Sequence, residues 1–229
     1  MRYVTEQTVE LVGSLGNDLT VVNAARVSFK GQSTLLSSAD VKLLDYLAAH
    51  KHYSPFRHVI LQFRLKVPEF VARQLYKHVV GIEGTSTHPT KDHAWNELSG
   101  RYKEYDEIYL PVKWNQQDPK AKQCSAQELD PEKSATCQKV YEEAIQKCMD
   151  SYAEMLKLGV SREQARILLP LTVMTEIAWT ASLQAVHNFV VLRNAPDAQR
   201  EIRELAAQIE RHARHVAPYA FSALIDPAL

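Results

Sequence analysis

Apolar positions in this chain change period several times, and each change predicts an element. Thr8-Val9-Glu10-Leu11-Val12 reads as a short strand, and Gly13 to Asp18 as a loop. Asn17 or Asp18 is placed to cap a helix that runs through Val21, Val22 and Ala25 to Ser28. Ser38-Ala39-Asp40 opens a second helix, with Val41, Leu44, Leu47 and Ala48 at helical spacing. From Val59 to Val67 the pattern becomes alternating, which predicts a strand with one buried face. Pro68 then stands where a helix start tolerates proline, and Phe70, Val71, Leu75 and Val79 form the next apolar stripe.

Gly81 to Asp92 is a loop by composition, and Tyr105 to Val112 a candidate strand. Asn115 to Pro131 is polar and is expected to be exposed. Pro131 to Leu158 predicts a long helix, with Val140, Ala144, Cys148, Tyr152 and Met155 on its buried stripe. Ser161 to Gln164 resembles a helix cap. Leu171 to Ala181 is β-prone, a helix follows over Leu183 to Arg193, and Ala198 to His215 is amphipathic. Strands and helices are mixed without regular alternation, which makes the fold class α+β, with a mixed or antiparallel sheet and long helices.

The chain has 229 residues, 45% hydrophobic and 24% charged. That suits one sizeable domain, taken here as residues 1–229, or two small lobes. Lys+Arg and Asp+Glu balance at 27 each. No nucleic-acid partner is therefore expected, and any anion site must be a local cluster of positive groups. No apolar run approaches the roughly 20 residues of a membrane span, so no membrane partner is expected. The first residues carry no secretory h-region. Cys124, Cys137 and Cys148 are odd in number and lack C-x-x-C spacing, so they read as free thiols in a reducing cytoplasm.

Chemistry concentrates in four places. Trp95-Asn96-Glu97-Leu98-Ser99-Gly100-Arg101-Tyr102 sets an amide, a carboxylate, a hydroxyl, a bare backbone and a guanidinium side by side. That combination suits a grip on an anionic ligand, because arginine offers phosphate a planar fork of donors; the rival reading is a polar turn. Arg73, Gln74, Lys77 and His78 form a polar helix face with no acid after Glu69. Arg166 adjoins the apolar run Ile167-Leu168-Leu169, where it either snorkels or binds something. Gln184, Asn188 and Arg193 share the helix over Leu183 to Arg193. Phosphate loops, dinucleotide fingerprints and nucleophile elbows do not occur. His88 and His93 flank a loop, His212 and His215 read as surface residues favoured by a helix C-terminus, and no metal site is expected.

Taken together, these pieces resemble the flavin-dependent thymidylate synthase (ThyX) family over roughly Val9 to Pro218. The resemblance is carried by Asn23-Ala24-Ala25-Arg26-Val27-Ser28-Phe29, His52-Tyr53-Ser54-Pro55-Phe56-Arg57-His58 and Pro68-Glu69-Phe70-Val71-Ala72-Arg73-Gln74. It continues in Lys77-His78, Asn96 to Tyr102, Arg162 to Pro170, Asn188 to Arg193 and Ala198 to Arg203. The chain departs from the family pattern near the flavin. About a dozen residues interrupt the signature, Lys77 replaces its first arginine, and its second is Val79 or, keeping the spacing, Lys91. Ala94 replaces a serine, Ser182 and Gln184 replace an asparagine and an arginine, and Asp197 stands where histidine is common.

The resemblance implies a homotetramer that methylates dUMP at C5. Methylenetetrahydrofolate would supply the carbon, and NADPH the hydride through FAD. It implies dUMP binding by Gln74, Glu97, Ser99, Gly100, Arg101, Arg166 and Arg193, with Arg193 and Ser99 in catalysis. It implies FAD binding by Ser28, His52, Lys77, His78, Lys91, Glu97, Ser182, Gln184 and Asn188. Two other readings keep the fold: altered C5 chemistry such as hydroxymethylation, distinguished by the mass of the product, and a non-catalytic nucleotide-binding relative, distinguished by nucleotide protection without a flavin spectrum.

Overall fold

The computed structural model describes residues 1–78, 93–122 and 124–227, with His93 described in its backbone alone. Lys91 and the expected loop over Gly81 to Asp92 lie outside the described residues, as do Val79 and His88. The chain divides into two units. The first comprises Met1–Gln7, Lys66–Arg73 and Glu97–Glu176; the second comprises Thr8–Leu65, Gln74–Asn96 and Ile177–Leu229.

In chain order the elements are β1 (Arg2–Val4), β2 (Thr8–Leu15), α1 (Asp18–Arg26), α2 (Ser38–Ala49), β3 (Ile60–Pro68), α3 (Glu69–Tyr76), β4 (His93–Glu97), β5 (Glu107–Tyr109), β6 (Asn115–Gln117), β7 (Ser125–Glu128), α4 (Pro131–Lys157), α5 (Arg162–Ala165), β8 (Met174–Ser182), α6 (Leu183–Arg193), α7 (Arg200–Val216) and α8 (Pro218–Ile225). The expected α+β class is what the structure shows, with a parallel β1–β5 pair and an antiparallel β6–β7 hairpin.

The second unit is built on a four-stranded sheet of order β2-β3-β8-β4. Phe63 on β3 stacks on Trp179 of β8 at 5.5 Å, and Trp179 meets Phe189 of α6 edge to face at 6.0 Å. All three rings are buried, and burying each contributes roughly 1.5–3 kcal/mol. Helix α6 packs on α7 and α8, and α2 on α8. Asn17, not Asp18, caps α1: its side chain accepts from Leu19 and Thr20 N–H, while Thr20 bonds back to the Asn17 N–H. Asp18 instead accepts the Ala220 N–H at 2.7 Å and so ties down the start of α8. Burial raises its pKa.

The first unit centres on α4 and the short strands. Asp130 caps α4 through the Lys133 N–H at 2.9 Å, and Pro131 occupies its first turn. The expected stripe is rotated in its first half, while Tyr152 is buried as expected. Val140 is 61% exposed, and the face that packs inward carries Tyr141, Ile145, Met149 and Tyr152, spaced four, four and three. Tyr141, Ile145 and Met149 pack with Tyr105, Ile108 and Val173, and the Tyr141 hydroxyl bonds to the Tyr109 carbonyl.

Other expectations are also corrected. Gly13 to Leu15 extends β2 rather than forming a loop, because its outward residues alternate with half-buried ones. Residues expected to be simply exposed form the β6–β7 hairpin, whose turn Gln117 braces by donating to four backbone carbonyls. The strand expected over Tyr105 to Val112 shortens to β5. His212 is half-buried, with a ring nitrogen 3.3 Å from the Val9 carbonyl, so it is no simple surface residue.

Candidate active site

The first unit gathers the anion-type residues at the end of β4. The Leu98 N–H donates to the Glu176 carbonyl at 2.8 Å, and the chain then turns: the Tyr102 and Lys103 N–H groups both donate to the Ser99 carbonyl. The Ser99 hydroxyl accepts the Arg101 N–H at 3.4 Å. Arg101 is exposed and lies 5.3 Å from the centre of the Tyr102 ring. Gly100 is buried, and a Cβ built on it would lie 2.6 Å from Cε2 of Tyr105 and 3.4 Å from Cδ of Arg166. Only a bare backbone fits there. Arg166 sits in a single 3-10 turn after α5 and is exposed, with its Nε donating to the Glu163 carbonyl at 3.3 Å. It lies at the surface, and Ile167 beside it is 79% exposed, so its stem covers no buried apolar face.

Two acids attend this turn. Buried Thr175 donates to the Glu97 carboxylate at 3.0 Å. Glu69, the first residue of α3, is half-buried and lies 3.5 Å from the Tyr105 hydroxyl. Burial and the Glu97 charge raise the Glu69 pKa, against the lowering pull of Tyr105, Arg73 and Arg166. The Tyr105 pKa is raised by burial and by the same two acids. Glu69, Tyr105 and Thr175 were not among the expected site residues. The available signal was Glu69 itself, the last acid before a run of cationic groups.

The second unit gathers a different set. Arg193 ends α6, and its Nε–H donates to Nε2 of His78 at 2.6 Å. His78 is half-buried, edge to face with Phe189 at 5.2 Å. Burial, then the Arg193 charge, lowers its pKa to about 4, so the ring is neutral at pH 7 and able to accept. Gln74 donates to the Gln199 side chain at 2.7 Å. Gln184 and Asn188 lie one turn apart on α6, and Nδ1 of His187 is 3.1 Å from Oδ1 of Asn188. Ser28, His52 and Lys77 are exposed. His52 stands 6.2 Å from the Tyr46 ring. The polar face read as one helix patch is divided: α3 stops at Tyr76, Arg73 belongs to the first unit, and Gln74, Lys77 and His78 belong to the second.

A family model described as thymidylate synthase complementing protein matches residues 10–219. The flavin-dependent thymidylate synthase of Thermus thermophilus is 39% identical over 223 residues, covering 96% of this chain and 76% of that protein. The enzyme of the same name from Kosmotoga olearia is 35% identical, covering 95% of this chain and 90% of its own length. This chain belongs to the flavin-dependent thymidylate synthase family. Among solved structures, the UMP/dUMP methylase PolB from Streptomyces cacaoi bound with 5-Br dUMP superposes with a TM-score of 0.82. That match has 28% identity and covers 97% of this chain and 96% of that one. As a member of this family, the chain is an enzyme.

The family name calls for a flavin, and the donor chemistry of the second unit fits one. Lys77, Ser28 and His52 present exposed donors, and Gln184 and Asn188 offer amides on one helix face. Ser182 does not fit. It is fully buried, and its hydroxyl accepts the Ala185 N–H at 3.2 Å as the cap of α6. Among the described residues there is no cluster of metal-binding groups, and no helix is long and apolar enough to cross a membrane.

Proposed function

We propose that the chain methylates dUMP at C5. A methylene group from methylenetetrahydrofolate bonds to C5, the C5 hydrogen leaves as a proton, the bond from the methylene to the folate nitrogen breaks to release tetrahydrofolate, and a hydride completes the methyl of dTMP. FAD, when bound, would supply that hydride, drawn from NADPH. Family membership supports this reading, and the observation that carries it is the Arg193–His78 contact. A neutral imidazole fixes one edge of the guanidinium, and among the described residues the two terminal nitrogens make no other hydrogen bond. Those nitrogens suit a pyrimidine carbonyl, where they would stabilise the negative charge that builds as C5 attacks. Gln74 is the second base-contacting candidate.

In the same reading, Arg101 and Arg166 take the 5′-phosphate, Ser99 and the bare Gly100 backbone line its approach, and Glu97 orients the sugar end. Ser28, His52, Lys77, His78, Glu97, Gln184 and Asn188 contact FAD, with Lys91 as a further cation. The assembly is a homotetramer in the cytoplasm. Val27, Phe29 and Leu35 support the oligomer: they are 72%, 87% and 83% exposed, large apolar side chains that another copy would cover.

Purified protein is expected to show a flavin absorbance spectrum and to release tritium from 5-³H-dUMP with methylenetetrahydrofolate and NADPH. Colourless protein that FAD does not reconstitute, with no tritium released, overturns the reading. The assay is run with UMP beside dUMP, because the similar Streptomyces cacaoi structure is named for both nucleotides.

A further inference from the structure

Gly100 and Tyr105 stand closer than an alanine at position 100 would permit, and the contact has a chemical extension. The ring that presses on Gly100 also lies beside Arg166, since both approach the same point, at 2.6 and 3.4 Å. Tyr105 is 9% exposed, and its hydroxyl extends to the Glu69 carboxylate. Glu69 is itself fixed at its backbone, where its N–H donates to the Val173 carbonyl at 3.0 Å. A chain of contacts therefore runs from a fixed backbone point through Glu69 and Tyr105 to Gly100 and Arg166.

Among the described residues, the charged groups that act on Glu69 belong to this same set. Glu97 repels it, Arg73 and Arg166 attract it, and Tyr105 bonds to it. Two acids thus balance two guanidiniums where the turn must receive an anion. The Tyr105 ring beside Gly100 bounds one side of the space that Arg166 occupies, and the Glu69 charge favours the guanidinium staying there; preorganised donors bind more tightly than donors that must be ordered on binding.

We propose that Glu69 and Tyr105 form a positioning pair that holds the Ser99–Arg101 turn and Arg166 in the arrangement that receives the nucleotide phosphate. The proposal rests on the dUMP reading above. Neither residue touches the reacting atoms; both act through Gly100 and Arg166.

The test uses the flavin-loaded enzyme and the variants Tyr105→Phe, Glu69→Gln and their combination. Tyr105→Phe keeps the ring against Gly100 and removes only the hydroxyl, so folding is preserved. Each single variant is expected to raise the Kd and KM for dUMP about fivefold. The kcat is expected to fall less than twofold, with flavin content and thermal melting at wild-type values. The double variant is expected to be no weaker than either single, because the pair works as one device. Singles within twofold of wild type in dUMP affinity overturn the pair alone. So does a double variant whose losses multiply to about twenty-five-fold, and so does a fall in kcat with KM unchanged. Wild-type enzyme that binds no dUMP overturns the proposed function and the pair with it.

Discussion

Arg193 donates to Nε2 of His78 across 2.6 Å, and the bond exists only while that imidazole is neutral. The donor hydrogen belongs to a permanently charged guanidinium, so a protonated His78 would present a second cation in place of a lone pair. Burial first, and Arg193 second, hold the His78 pKa at about 4. An unfolded chain takes up this proton near pH 6.5. The folded-state value is the lower one, so the stability it contributes is full above about pH 6.5 and is lost as the pH falls from there towards 4. A proton NMR titration is expected to place the His78 midpoint near 4. A midpoint above 6 would contradict the contact. His78→Gln is expected to flatten the melting temperature between pH 6.5 and 4, because an amide does not titrate there.

Gly100→Ala is expected to destabilise the first unit by about 1–3 kcal/mol, the usual cost of forcing a methyl into an occupied space. The added Cβ would need the Tyr105 ring to move, since 2.6 Å is far inside carbon–carbon contact. Adding Tyr105→Leu to Gly100→Ala is expected to recover part of the melting temperature, because it removes the ring edge that the methyl meets. No loss in the single variant would show that the turn is not held against Tyr105.

Much of this architecture was legible in the chain, and the misses share a cause. The helix over Leu183 to Arg193 has the bounds that the sequence predicts, because Ser182 supplies a cap and the apolar positions leave no competing period. The α4 stripe was rotated because Val140 and Ala144 are as apolar as Tyr141 and Ile145. Periodicity alone does not choose between adjacent faces when both are apolar; packing against Ile108 and Val173 does. The β6–β7 hairpin was hidden because Gln, Asn and Ser dominate it, and side-chain bonds from Gln117 stand in for apolar alternation. In the site, Arg166 and the Asn96 to Arg101 turn were visible as residue types. The Glu69–Tyr105 link was not, because 36 residues separate the two in sequence.

Asp40 is expected to act as the fastener of the segment that carries Ser28. Its carboxylate accepts from Arg26 Nη2 at 2.5 Å, from the Ser33 hydroxyl at 3.0 Å, and from the Ser37 hydroxyl and N–H at 2.6 and 2.9 Å. The Ser37 bonds first, with Arg26 and Ser33 helping, hold its pKa well below the ordinary carboxylate range. A depressed carboxyl stabilises the fold above its unfolded pKa of about 3.9, and that stability is lost as the pH drops further. Asp40→Asn keeps the size and removes the charge. It is expected to lower the melting temperature at pH 7 and to narrow the difference between variant and wild type below pH 4. A variant that melts with the wild type throughout would show that the four donors are satisfied elsewhere.

Arg193→Ala separates binding from chemistry. If the guanidinium acts on the pyrimidine as charge develops, its loss is expected to reduce turnover about 10²–10³-fold, the scale seen when a preorganised donor is removed from a reacting oxygen. Flavin content is expected to stay near the wild-type level, because the exposed donors Ser28, His52 and Lys77 and the amides Gln184 and Asn188 are untouched. The comparison with His78→Gln sharpens the assignment. Glutamine can still accept from the Arg193 Nε–H, so that variant is expected to retain more turnover than Arg193→Ala while still binding dUMP. Tritium release from 5-³H-dUMP measures the chemistry, and the absorbance ratio of flavin to protein measures the cofactor. Parallel loss of both in Arg193→Ala would assign Arg193 to flavin binding instead and leave polarisation of the pyrimidine to another residue.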